Sequence, residues 1–523
     1  MSSWNKDKTS FYHDYETSGA DTKRDRPVQF AGIRVDESLN AVDVFDSIYC
    51  KLPDDVLPHP MAFVVTQMMI DEVQERGMPE FEFAHQVLNQ LGRSNTTSLG
   101  YNTIAFDDEM TRNLFYRNLI NPYEREWKNG NSRWDLINVV RMAAAIFSGK
   151  TYEDGSNIFN VPLNDDGKKS FRLEDLSVAN GIEHENAHDA LSDVYATIGM
   201  AKIINDKEPE FFSLLESRKS KNLVSEDFIT SKPEPILLCS SFFGGERSYV
   251  SFVIPLCVSS KNKNEVYCVK LESKQDIANL IDFTVEDITK LIFEKSDVLK
   301  ENGLTRPALT TVRINTCPVY LTTNDIKNIY PDTESREAFY KSINVNTEDL
   351  GEAYRLYRSN IDILVEKARG VFDSQKFESN PDEDVDLSIY SGGFPSNEET
   401  ILKNSFNNDL KIAKNDEERL NVFNRYLEKS SGKIKEQIFR VAFRSYPDIA
   451  VNLGEKAVKK WHNHCYERIN GECDAVGLNY ESFLVAVEEI RANEKYSDPL
   501  FEEILSKLEV YVKALSEKYS VPM

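Results

Sequence analysis

The sequence predicts an α/β protein that opens with an antiparallel sheet, passes into a β-rich segment and ends in helices. Three observations carry this reading. Short runs rich in β-branched and aromatic residues open the chain and alternate with helical spacing up to about residue 205. Strand-like runs broken by turn residues fill most of 206–350, and helical spacing takes over in 351–523. A chain of 523 residues suits about three domains at roughly 150 residues each, so 9–205, 206–350 and 351–523 are read as the domains.

Within the first segment, TSFYHDYE (9–16), VQFAGIRVD (28–36) and VFDSIYCKL (44–52) read as a three-strand meander. FVVTQMMIDEVQERG and EFEFAHQVLNQLG then show helical spacing, and SLGYNTIAF returns to a short strand. DDEMTRNLFYRNLI, RWDLINVVRMAAAIF and AHDALSDVYATIGMAKII follow as helices, the last opened by Asp189 as N-cap. In the second segment EPILLCSSFFGGERSYVSFVIPLCVS, EVYCVKLE and TVRINTCPVYLT are strand-like, with IANLIDFTVEDITKLIFEK as a helical insert. The acidic stretch 379–399, SNPDEDVDLSIYSGGFPSNEE, reads as an exposed connection.

Composition narrows the function classes. No run of eighteen apolar residues occurs, which excludes a membrane-spanning helix. The start, MSSWNKDKTS, lacks the apolar region of a secretory signal. Cys50, Cys239, Cys257, Cys268, Cys317, Cys465 and Cys473 form no CxxC pair, which suits reduced thiols and a cytoplasmic location. The net charge of −24 argues against general adsorption to nucleic acid. Between Thr111 and Arg141, however, Arg112, Arg117, Arg125, Lys128, Arg133 and Arg141 interleave with Tyr116, Tyr123, Trp127 and Trp134. Such a pattern suits single-stranded nucleic acid, whose backbone follows charge and whose bases stack on rings; an amphipathic helix pair is the structural alternative.

The candidate chemistry begins with FYHDYETSG, residues 11–19. On a strand, Asp14 and Glu16 share a face, which suggests a divalent cation held by oxygen ligands, Mg²⁺ or Mn²⁺; an exposed edge strand with alternating acids is the structural alternative. Asp107 follows in GYNTIAFDDE, spaced N-x-x-x-F-D from Asn102, and His188 precedes Asp193 as H-x-x-x-x-D in HENAHDALSD. In this order and spacing the chain resembles the DEDD exonucleases of the histidine subclass. Over 9–205 it is similar to the bacterial exodeoxyribonuclease I family, through DRPVQFAGIR, LGYNTIAFDDEMTRNLFYRN, NSRWDLINVVR and SFRLEDLSVANGIEHENAHDALSDVYATI, and further on through NTCPVYL.

That resemblance implies an RNase H-like mixed-sheet exonuclease domain, an SH3-like β-barrel domain and a helical C-terminal domain closing around single-stranded DNA. It implies 3′-to-5′ hydrolysis to 5′-mononucleotides, in DNA repair and recombination, with Asp14, Glu16, Asp107 and Asp193 holding two Mg²⁺ ions and Mn²⁺ able to substitute. His188 would be the general base. Glu16 and Arg172 would meet the substrate, and Arg112, Tyr123, Trp127, Arg141 and Lys221 would face the DNA. A monomer is expected, with single-stranded DNA-binding protein as a partner through its acidic tail and no membrane. His184, Asp189, Asp108 and Glu109 stand outside the catalytic set, because the five-residue step selects His188, an N-cap role accounts for Asp189, and first-turn acids suit the helix dipole. His462, His464, Cys465 and Cys473 match no zinc-finger spacing and read as helix surface. An exoribonuclease or proofreading enzyme, and a non-catalytic DNA-binding scaffold, are the alternative functions.

Overall fold

The computed structural model describes residues 8–182, 188–245, 248–375 and 383–523. The chain forms two compact units, one of Met1–Ser132, His184–Tyr195 and Ser379–Met523, the other of Arg133–Glu183 and Ala196–Glu378.

The first unit is built on β1 (Thr9–Thr17), β2 (Pro27–Val35), β3 (Ala41–Tyr49) and β4 (Thr96–Leu99), followed by the two-residue β5 (Ser132–Arg133). The order is β3-β2-β1-β4-β5. β1 runs antiparallel to β2 and parallel to β4, so the sheet is mixed. Period-two alternation sorts β1 into two faces. Phe11 and Tyr15 enter a core with Phe30, Phe83, Leu114 and Phe115, and the Tyr15 hydroxyl bonds Thr111 Oγ1 at 2.9 Å. Asp14 and Glu16 take the other face. Gly32, opposite His13, admits the Phe11 ring: a Cβ there would lie 2.2 Å from Phe11 Cζ.

Several boundaries depart from expectation. The third strand, Ala41–Tyr49, starts and ends earlier than its apolar run. The helix expected across 63–77 is two, Pro60–Thr66 and Ile70–Arg76, broken where Gln67 adopts φ 55°. β4 ends at Leu99, and Gly100 beyond it packs against the His13 carbonyl, where a Cβ would sit at 2.5 Å. The following residues turn into the helix Asp107–Arg117, so the strand expected to reach Phe106 is shorter.

The C-terminal helices belong to this same unit. Asn397–Ile412, Asp416–Lys429, Gly432–Ser445, Glu455–Asn470, Tyr480–Arg491 and Pro499–Lys518 share one apolar core with Val28, Phe63, Val73, Phe81 and Leu119. The acidic connection is not wholly exposed. Asp386 and Ser388 are buried, and Arg440 bonds Asp384 at 2.7 Å and Asp386 at 2.9 Å. Charge composition hid this, because a buried carboxylate needs a partner that lies far away in sequence.

The second unit carries β6 (Ile236–Cys239), β7 (Val250–Val258), β8 (Glu265–Lys270), β9 (Leu309–Arg313) and β10 (Val319–Thr322), in the order β10-β6-β7-β8-β9. All its pairings are antiparallel. Its core gathers Val224, Phe228, Val253, Val266, Val312 and Tyr320. The helices Thr347–Ser359 and Ile361–Phe372 pack here, and the Tyr357 hydroxyl donates to the Pro255 carbonyl at 2.9 Å.

Candidate active site

The D-x-E strand, the start of the helix Asp107–Arg117 and the start of the helix Ala190–Lys207 converge in the first unit. One ligand oxygen from each of Asp14, Glu16 and Asp193 lies within 4.8 Å of the others. Among the described residues this is the one cluster of three or more such groups. Asp107, buried as the first helical residue, is close enough to act on both β1 acids. Burial first, then the carboxylates of Asp107, Asp193 and Glu16, push Asp14 well above the ordinary carboxylate range. Burial followed by Asp193 and Asp107 does the same to Glu16.

Such mutual repulsion at a buried site is relieved by a cation. The donor set is all carboxylate oxygen, which fits a hard divalent ion. Asp14, Glu16 and Asp193 are therefore placed to hold one, with the Asp107 charge close by.

His188 sits at the entry to the last helix with φ 67°, and its N–H donates to Asp193 Oδ1 at 3.3 Å. His184 lies outside the described residues. Asp189 caps the helix as expected, accepting from the Ser192 N–H at 3.2 Å. Asp108 does more than favour a dipole: it is buried and takes Arg125 Nη2 at 2.5 Å, while Arg125 Nη1 donates to Ser98 Oγ at 3.0 Å. Glu109 pairs with Arg112 and accepts from the Tyr390 hydroxyl. His13, next to Asp14, faces the core. Burial and then Arg125 push it down to about 3, so it stays neutral among Phe11, Tyr15 and Phe30.

The basic and aromatic stretch divides. Arg117, Arg125 and Arg133 are buried, which corrects their reading as part of a charged surface. Their partners explain it: Arg117 lies 3.7 Å from Glu80, Arg125 holds Asp108, and Arg133 donates to the Asn315 carbonyl at 3.2 Å. Arg112 grips both oxygens of Glu126, at 2.7 and 2.9 Å, with its guanidinium 5.5 Å from the Tyr123 ring centre. Trp127 is 66% exposed, whereas Trp134 is buried against Phe212.

Arg141, Arg172 and Lys221 belong to the second unit. Arg141 stacks on Tyr249 at 4.2 Å, and Lys221 donates to Asn264 Oδ1 at 2.6 Å. The Arg172 side chain is 73% exposed, 3.8 Å from Glu174. The histidine and cysteine group near 462 scatters. His462 meets the Val521 carbonyl at 2.9 Å, His464 meets Asp55 Oδ2 at 3.0 Å, and Cys465 is in the apolar core. Helix surface is thus corrected for Cys465, which the helix turns inward.

Gln29 escaped the sequence reading. Its side chain is buried beside the cluster and bonds Asp189 and Ala190. A glutamine in the strand Pro27–Val35, where Arg34 is the other polar side chain, was the available signal.

Mixed sheet and acid cluster, with a match of residues 11–201 to the exonuclease family model, define an exonuclease of the RNase H-like class. Residues 219–374 match the exonuclease I SH3-like domain and 383–515 the exonuclease I C-terminal domain. Exodeoxyribonuclease I of Haemophilus influenzae is 38% identical over 390 residues, covering 74% of this chain and 78% of that protein. The crystal structure of Escherichia coli exonuclease I in complex with a dA16 oligonucleotide superposes with a TM-score of 0.82 at 29% identity, covering 97% of this chain and 100% of that one. The zinc-ion-bound form of the E. coli enzyme with single-stranded DNA gives a TM-score of 0.81 at 28% identity, over 97% of this chain and 99% of that one. The chain belongs to the exodeoxyribonuclease I family.

Proposed function

We propose that the chain shortens single-stranded DNA from its 3′ end, releasing 5′-mononucleotides, with two divalent cations held by Asp14, Glu16, Asp107 and Asp193. The observation that carries this reading is the convergence of ligand oxygens from Asp14, Glu16 and Asp193 within 4.8 Å of one another. The relatives support it: one solved neighbour holds an oligonucleotide, and another holds zinc together with single-stranded DNA. Mg²⁺ is the proposed physiological ion, since the donors are carboxylates alone and Mg²⁺ favours oxygen. When bound, the cations supply Lewis-acid chemistry, acidifying the attacking water and neutralising charge on the leaving 3′ oxygen.

The residues have distinct tasks. The four carboxylates hold the cations, and their anchoring on a strand and two helix starts limits how far each can drift. His188 accepts the proton of the attacking water, the task a histidine side chain most often performs in general acid–base catalysis. Glu16 also borders the 3′ terminus. Arg172, with its guanidinium largely in solvent, clamps a substrate phosphate. Trp127 offers an exposed ring on which a base stacks, whereas Arg112, Tyr123, Arg141 and Lys221 are assigned to the strand by resemblance. A nuclease, an SH3-like and a helical domain are proposed to make up a monomer, with the acidic tail of single-stranded DNA-binding protein as its protein partner.

The test is a gel assay with 5′-labelled single-stranded DNA and RNA, with and without Mg²⁺, beside Asp14→Ala. The proposal expects a ladder on DNA alone that EDTA and the substitution both abolish. Degradation that ignores EDTA or survives Asp14→Ala would overturn the mechanism, and equal degradation of RNA would overturn the substrate.

A further inference from the structure

Gln29 lies on β2 directly across from Glu16 and, on its other side, across from Tyr49 of β3. Cross-strand partners share a face, so its carboxamide stands beside the acid cluster. Both of its N–H donors and its carbonyl oxygen have specific partners. Nε2 donates to Asp189 Oδ1 at 2.8 Å and to the Tyr49 hydroxyl oxygen at 3.1 Å, and Oε1 accepts the Ala190 N–H at 3.1 Å. Only one orientation of the amide satisfies all three, because the carboxylate needs a donor and the N–H needs an acceptor.

The chain of contacts continues to the cluster. Asp189 accepts from the Ser192 N–H through Oδ2 at 3.2 Å, and its carbonyl accepts the Asp193 N–H at 3.0 Å. Asp193 Oδ1 in turn accepts the His188 N–H at 3.3 Å. His188 meanwhile holds a left-handed backbone, φ 67°, which costs energy for a residue with a Cβ and persists only where its surroundings impose it.

We infer that Gln29 is a positioning residue. Its carboxamide fixes Asp189 and Ala190, and through them places the Asp193 carboxylate and the His188 backbone against the Asp14–Glu16 strand. While Asp189 carries a charge, a neutral amide suits position 29, since Glu16, Asp193, Asp107 and Asp189 already crowd the site with negative charge. The inference rests on the reading of the acid cluster as the metal-holding site.

The test measures Mn²⁺ affinity of the full chain by isothermal titration, beside thermal unfolding, for Gln29→Met, Gln29→Glu, Asp189→Asn and the double variant Gln29→Glu/Asp189→Asn. Groups that orient metal ligands typically contribute about 10–100-fold in affinity. Each single variant is expected to lose Mn²⁺ affinity by about that factor. The double variant reverses the polarity of the pair: the carboxylate at position 29 accepts from the new carboxamide at position 189, the Ala190 N–H and the Tyr49 hydroxyl, and total charge is unchanged. Recovery of affinity in the double variant is the expected result, and a purely structural role would not produce it. Gln29→Met with unchanged Mn²⁺ affinity, or a double variant no better than its parents, would overturn the inference. Absence of Mn²⁺ binding in the unsubstituted protein would instead overturn the metal reading, and the inference with it.

Discussion

Arg444 grips Asp55 across 389 residues of chain, with Nε at 3.2 and 3.1 Å from the two carboxylate oxygens and Nη2 at 2.6 Å from Oδ2. The same Nη2 lies 2.6 Å from Asp386. One buried guanidinium thus ties the segment after β3, the acidic connection and the helix Gly432–Ser445 within a single unit.

Removing that guanidinium leaves two buried carboxylates without their main counter-charge. Breaking a buried ion pair from one side costs about 3–5 kcal/mol. Arg444→Met is expected to lower the unfolding free energy by that amount in urea titration, and a loss under about 1 kcal/mol would refute the assignment.

The same pair sets an acid limit. Burial works against the charged form of both acids, but the Arg444 guanidinium, joined by His464 at Asp55 and by Arg440 at Asp386, outweighs it and holds both well below the usual carboxylate range. For a depressed acid the stabilisation is complete above the unfolded-state value, about 3.9, and is lost as pH falls through the lower folded-state value. These two groups should therefore add no slope to stability between pH 7 and about 5. They should contribute a steep fall below about pH 4, one that Asp386→Asn makes shallower in acid-unfolding curves followed by circular dichroism. A curve unchanged by that substitution would count against the pairing.

Trp127 and Trp134 call for opposite experiments. Trp127 is exposed in the stretch assigned to the DNA, so Trp127→Ala should weaken binding of a single-stranded oligonucleotide by about 1–3 kcal/mol with the melting temperature unchanged. Trp134→Ala removes a ring packed on Phe212 and should cost about 3–5 kcal/mol of stability. Fluorescence anisotropy and calorimetry separate the two, and unaltered oligonucleotide affinity in Trp127→Ala would remove that residue from the interface.

A divalent cation should stabilise the protein before any DNA is present. Binding to the native state alone adds about 2.7 kcal/mol when the ion is at roughly 100 times its dissociation constant. Mg²⁺ or Mn²⁺ added to chelator-treated protein is expected to raise the melting temperature in a scanning fluorimetry series, and Asp14→Asn to remove most of the rise. An equal rise in that variant would place the ion elsewhere.

Much of the site was legible in the sequence because its logic is local. A strand alternates its side chains, so D-x-E alone determines that Asp14 and Glu16 share a face and that Tyr15 enters the core. Asp107, His188 and Asp193 were singled out through the family resemblance that their spacing carries, and each lies at or beside the first turn of a helix. The succession of an α/β opening, a β-rich segment and a helical end also followed from local periodicity, whereas the parallel pairing of β4 with β1 did not. Tertiary structure alone decided the destination of the charges. Arg117, Arg125 and Asp386 look in sequence like neighbours of exposed charges, yet each is buried with a partner brought near by folding. The tie from Gln29 to Asp189 spans 160 residues and has no local signature. Burial makes a charge or an amide demand a specific partner, and no short-range pattern in the chain records which one it will meet.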